Sequence, residues 1–145
     1  MAAIHEHRTT VRDEDIDVQN RVNNVVYLRW MEDAAVAHSA AHGWSASRYA
    51  GAGAGWVARS HHIEYLQPAF AGDRIVVRTW VATMRRVTSV RRYYILREDD
   101  QGETLLATAE TKWAFVRYAT GEPTRIPAEI ADSFPVVEQG LGFAG

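Results

Sequence analysis

Apolar and polar positions along the chain follow two regimes. From Asn24 to Ala41 there is no Gly or Pro, alanine recurs, and apolar residues occur on nearly every face, which predicts one long helix. Eighteen residues at helical rise span about 27 Å, enough to cross a small domain. A helix so widely apolar is expected to be buried. The adjacent Asn23 and Asn24 supply an N-cap, and Gly43 sits where a left-handed stop belongs. From residue 56 onward the pattern changes to long β-branched and aromatic runs. Strands are expected over Trp56–Gln67, Arg74–Met84, Val87–Arg97 and Thr104–Tyr118, with a hairpin at Asp99–Gly102. A short strand is expected within residues 5–12, a loop from Gly43 to Gly55, and one helical turn near Ile126–Ile130. Strand, helix and four strands joined by short turns imply an α+β domain, an antiparallel sheet of about five strands curled around one helix.

Composition narrows the function. At 145 residues the chain is expected to form a single domain, residues 1–145, with a poorly ordered tail after about residue 135. A net charge of -2 argues against a nucleic-acid or membrane-surface partner. The N-terminus has no signal-like apolar core, so a cytoplasmic location is expected. With no cysteine there is no disulfide, thiolate metal site or Cys nucleophile.

Several constellations carry candidate chemistry. Asp13, Asp15 and Asp17 are spaced like the start of a calcium loop, but Val18 and Asn24 stand where that loop needs Gly and Glu. These carboxylates instead precede a helix N-terminus, whose dipole and free amides can stabilise a developing anion. A carboxylate facing such a site suits attack on an acyl carbon, or activation of water there. Ser45 lies in a near match to a nucleophile elbow but follows a helix, and is read as loop chemistry. His38 and His42 share a helix face without the Glu of a zinc motif, and are expected near the helix's exposed end. No metal is expected. His61 and His62 must point to opposite faces of a strand, so one can line a cavity; His62 is carried as a candidate substrate-binding residue. Arg85, Arg86, Arg91 and Arg92 bracket one strand connection, either as solvated edge residues or as a phosphate clamp.

The run Asp15-Ile16-Asp17-Val18-Gln19-Asn20-Arg21-Val22-Asn23-Asn24-Val25-Val26-Tyr27-Leu28 resembles the signature of hotdog-fold acyl-CoA thioesterases of the 4-hydroxybenzoyl-CoA thioesterase type. Ile63–Ala69 with Gly72-Asp73, and Thr120–Pro127, resemble that family's second strand and C-terminal segment. The resemblance implies a sheet wrapped around the helix and a homodimer, or a dimer of dimers, whose active sites lie at the subunit interface. It implies Asp17 as nucleophile or general base and helix amides around Asn24 as the oxyanion site. Gln19, Arg21, Asn23 and Tyr27 fall within the motif as substrate-binding candidates, with Arg85, Arg86 and Arg91 for coenzyme A phosphates. Gln19 and Arg21 depart from the Asn and His of related plant acyl-carrier-protein thioesterases. Arg21 cannot act as a general base, because its guanidinium keeps its proton; it can pair with an anionic group. The expected activity is hydrolysis of an acyl-CoA thioester, with coenzyme A present only as part of the substrate and no other cofactor. The rivals are a non-catalytic module that binds acyl-CoA or an acyl carrier, and a hotdog dehydratase or hydratase, which would be expected to carry a well-placed His.

Overall fold

The computed structural model describes residues 3–138. The remainder of the tail expected to be poorly ordered, residues 139–145, lies outside the described residues. In chain order the elements are β1 (His5–Thr10), a 3-10 turn (Asp13–Asp15), α1 (Asn24–Ala41), α2 (Ala46–Ala52), β2 (Ala54–Tyr65), β3 (Arg74–Met84), β4 (Thr88–Asp99), β5 (Gly102–Arg117) and α3 (Ala128–Ala131). The five strands form one antiparallel sheet in the order β1-β3-β4-β5-β2. It wraps α1 in the hotdog arrangement.

The helix begins and ends where its local signals place it. Asn23 caps the start, and Gly43, at φ 90, follows the last turn. Its burial differs from the expectation. Tyr27, Trp30, Met31, Ala34, Ala35 and His38 form one buried stripe, while Val25 and Val36 on the other side are 71% and 59% exposed. The spacing of that stripe is the 3–4 repeat of a helix covered on one face. Ile75, Val77, Tyr93 and Ile95 of the sheet pack against it.

The segment from Gly43 to Gly55 is not the expected loop, because residues 46–52 are helical. Ser45 caps α2 by accepting the Arg48 amide at 3.2 Å, and Gly53, at φ 71, ends it. Both signals are in the sequence, but seven residues are too few for a visible helical period. Ser45 is thereby a helix cap, not a residue of a plain loop. A second apolar cluster of Trp44, Tyr49, Val81, Phe115, Ile126, Ile130 and Phe134 closes this end of the molecule. Val136 pairs in parallel with Val81, laying the start of the tail along β3.

Candidate active site

The loop before α1 is held by its own backbone. Val11 donates to the Asp73 carbonyl at 2.9 Å and accepts from Gly72 at 3.1 Å, fixing where the loop leaves β1. The Asp15 carboxylate then turns inward and is 1% exposed. It accepts the Arg12 amide and the Arg29 guanidinium, each at 2.9 Å. Burial by itself would raise its pKa, but those two donors together hold the carboxyl below its ordinary value.

After Asp15 the chain folds into a tight hairpin. Ile16 bridges Val22, the Asp17 amide donates to the Arg21 carbonyl at 2.9 Å, and Asn20 takes a left-handed φ of 63 at the tip. Asp17 Oδ1 accepts the Gln19 amide at 2.8 Å, a side-chain turn of the kind Asp favours. Its other carboxylate oxygen has no partner among the described residues. The three aspartates are therefore unequal. Asp13 is exposed, Asp15 is a buried structural anchor, and half-exposed Asp17 keeps an oxygen available.

Two residues past Arg21 comes the helix cap, Asn23, and α1 begins at Asn24. Asn23 Oδ1 accepts the Val25 amide at 3.1 Å, and the Asn23 carbonyl accepts the Val26 amide at 2.9 Å. The Asn24 amide is left without an acceptor among the described residues, as expected of a first-turn N–H. The Asn24 carbonyl accepts the Tyr65 hydroxyl at 3.1 Å, tying the helix start to the end of β2. Tyr65 also meets the Tyr27 ring edge-on at 5.0 Å. Burial raises the pKa of both phenols. Sequence reasoning missed Tyr65, since a strand tyrosine carries no mark of a partner 41 residues away. Tyr27, expected to touch substrate, is instead a core residue packed on Trp30 and Tyr65. Its apolar neighbours at helical spacing bury it.

The remaining candidates separate. Gln19 and Arg21 stand exposed on the hairpin, and Asn23 serves as the cap. His62 is exposed, lies 3.7 Å from Glu64, and faces away from the helix. His61 points the other way, with Nδ1 at 2.8 Å from Thr111 Oγ1, which also accepts the Tyr93 hydroxyl. Arg85 and Arg86 are exposed at the β3–β4 turn, and Arg92 pairs with Glu110 at 3.2 Å. Arg91 departs from the expected cluster: it is 7% exposed and points inward, so it is not part of a surface clamp. Alternation along β4 sends it to the helix face while Arg92 meets solvent.

The expectation that His38 and His42 occupy an exposed helix end is also overturned, since both are buried. Arg91 donates to His38 Nδ1 at 2.8 Å, the two imidazole Nε2 atoms are 3.1 Å apart, and His42 Nδ1 lies 2.6 Å from the Ser133 carbonyl. Arginine only donates and a carbonyl only accepts, so the chain has one direction. His38 carries its proton on Nε2 and His42 on Nδ1, both neutral. Phe134 stacks on His42, and His5 on His38. The 38/42 spacing was visible in the sequence; the covering segment from Ser133 onward was not linked to it.

Among the described residues no group of three or more His, Asp or Glu is arranged to hold a metal ion, and no helix is long and apolar enough to cross a membrane. The chain is 25% identical over 134 residues to a chloroplastic acyl-acyl carrier protein thioesterase of Arabidopsis thaliana, covering 92% of this chain and 70% of the relative. Its fold matches an aspartate-to-asparagine mutant of 4-hydroxybenzoyl-CoA thioesterase complexed with 4-hydroxybenzoyl-CoA, at TM-score 0.86 and 18% identity, covering 92% of this chain and 100% of that one. It also matches a DHNA-CoA thioesterase from Staphylococcus aureus at TM-score 0.78 and 22% identity, covering 84% and 80%. A family model described as the thioesterase-like superfamily matches residues 11–134, and on that match the chain belongs to this superfamily.

Proposed function

We propose that this protein hydrolyses acyl-CoA thioesters, using Asp17 and the amide of Asn24. The observation that carries the proposal is their arrangement. Asp17 has a carboxylate oxygen without a partner among the described residues, and it sits on a hairpin whose last residue, Val22, adjoins the helix cap Asn23. There the first helical amide likewise lacks an acceptor among the described residues. That pairs an anionic base or nucleophile with a donor at the positive end of an 18-residue helix.

Two routes share this geometry. As general base, Asp17 takes a proton from water while the oxygen of that water adds to the acyl carbon. The resulting oxyanion is stabilised by the Asn24 amide, and collapse expels the coenzyme A thiolate, which takes up a proton. As nucleophile, Asp17 itself adds to the acyl carbon and expels the thiolate, and water then cleaves the mixed anhydride. Both give a free acid and coenzyme A.

A homodimer belongs to the same proposal. The exposed edge strand β2, with Ser60, His61, His62, Glu64 and Tyr65 all exposed, supports pairing beside the Tyr65–Asn24 contact. Exposed Arg85 and Arg86 are the proposed contacts for coenzyme A phosphates. Gln19 and Arg21, on the rim beside Asp17, are proposed to face the polar part of the substrate. A cytoplasmic location goes with a substrate of this kind.

The test is thiol release from short, long and aromatic acyl-CoAs, alongside the same acyl groups on an acyl carrier protein. Turnover of one acyl-CoA series supports the proposal. Turnover of carrier thioesters alone would move the substrate, and binding without release from any donor would make the protein a binding module.

A further inference from the structure

A cavity of about 290 Å³ lies between the C-terminal half of α1, the short α2 and the sheet, and no residue of the acidic hairpin lines it. Its α1 residues run from Glu32 to Ser39, which places them about 12–22 Å along the helix from Asn24 at 1.5 Å per residue. Trp44, Tyr49, Trp56 and Phe134 supply aromatic walls. A buried apolar cavity of about 150 Å³ accepts benzene, so this one has room for a ring with a substituent.

Arg91 gives the cavity a charge. It lines the space while being 7% exposed, and Nη1 alone makes its two hydrogen bonds, to His38 at 2.8 Å and to Thr79 at 3.1 Å. Nε and Nη2 have no partner among the described residues, and no carboxylate there lies within ion-pair distance of the guanidinium. The titratable groups around it are the Tyr93 and Tyr49 phenols and the imidazoles of His38, bonded to Nη1, and His5, none of them a carboxylate. Glu32 also lines the cavity from the exposed side of α1, and its charge reaches the Tyr93 phenol, but it lies beyond ion-pair distance of Arg91. A buried cation without a counter-charge is unfavourable, and a carboxylate docking on two parallel N–H groups relieves it.

We propose that this cavity is a second binding site, for a small carboxylate with an aromatic or branched apolar body, its carboxylate held by Nε and Nη2 of Arg91. The site is separate from the hairpin and helix start, and its occupancy does not depend on thioester hydrolysis. Calorimetry with benzoate and its uncharged counterpart benzyl alcohol tests it. The wild-type protein should bind benzoate at least tenfold more tightly. Arg91→Met should abolish that preference while keeping the benzyl alcohol affinity, which also reports an intact cavity. Replacing both Arg85 and Arg86 by Ala should leave benzoate binding unchanged. Equal affinity for the two ligands in the wild type, or loss of benzoate binding in the Arg85/Arg86 variant, would overturn the proposal. Should Arg91→Met not fold, the Arg91 Nε–H resonance of the wild type decides: a shift on titration with benzoate supports the site, and an unmoved signal removes it. Thiol release enters none of these readouts, so a failed hydrolysis assay leaves them interpretable.

Discussion

The Arg29 guanidinium donates to Asp15 Oδ1 at 2.9 Å, and this bond joins the second turn of α1 to the loop that presents Asp17. Asp15 accepts at both oxygens, while its own carbonyl accepts the Asn23 amide at the helix cap. One buried residue thus sets where the hairpin lies relative to the helix start.

Asp15→Asn should therefore destabilise the protein by roughly 1–3 kcal/mol, because a buried, charge-assisted pair of hydrogen bonds is replaced by a weaker one. Asp13→Asn, at an exposed position, should stay within about 0.5 kcal/mol. Urea midpoints of the two variants make the comparison, and equal midpoints would remove Asp15 from this role.

Acid should act through the same residue. The folded-state pKa of Asp15 lies below its unfolded value, so its contribution is fully present above about pH 4, near the unfolded carboxylate value. That contribution is lost as pH falls through the folded value. Stability measured from neutrality downward should fall less steeply below about pH 4 in Asp15→Asn than in the wild type. Parallel curves would contradict the assignment.

The fold was legible because its signals are local. Asn23, Gly43 and the alternation of Ile75, Val77, Thr79 and Val81 each act within a few residues. What stayed hidden depends on contacts remote in sequence. The depth of Arg91, its bond to His38 53 residues away and the cover of His42 by Ser133 are products of tertiary packing. Within the acidic loop, spacing marked three aspartates but not their division of labour. Asp15 turns inward because Arg29, 14 residues on, reaches back to it.

Assembly is measurable directly. With β2 at an open edge, light scattering should give at least twice the 16.3 kDa chain mass at micromolar concentration. A monomer mass would dispose of an active site shared between subunits.

Arg85→Ala and Arg86→Ala should mainly raise KM for acyl-CoA and weaken its dependence on salt, since phosphate contacts lie far from the reacting carbonyl. Unchanged KM in both variants would return them to the role of solvated turn residues.

The most direct measurement is thiol release by Asp17→Asn at saturating acyl-CoA, with Asp13→Asn as control. The amide keeps the size and most of the hydrogen bonding of the carboxylate but can act neither as base nor as anionic nucleophile. We expect kcat to fall at least about a hundredfold with KM little changed, the behaviour of a group needed chiefly in the transition state. The Asp13→Asn enzyme should keep wild-type turnover. An Asp17→Asn enzyme with wild-type kcat would contradict the account and place the chemistry elsewhere.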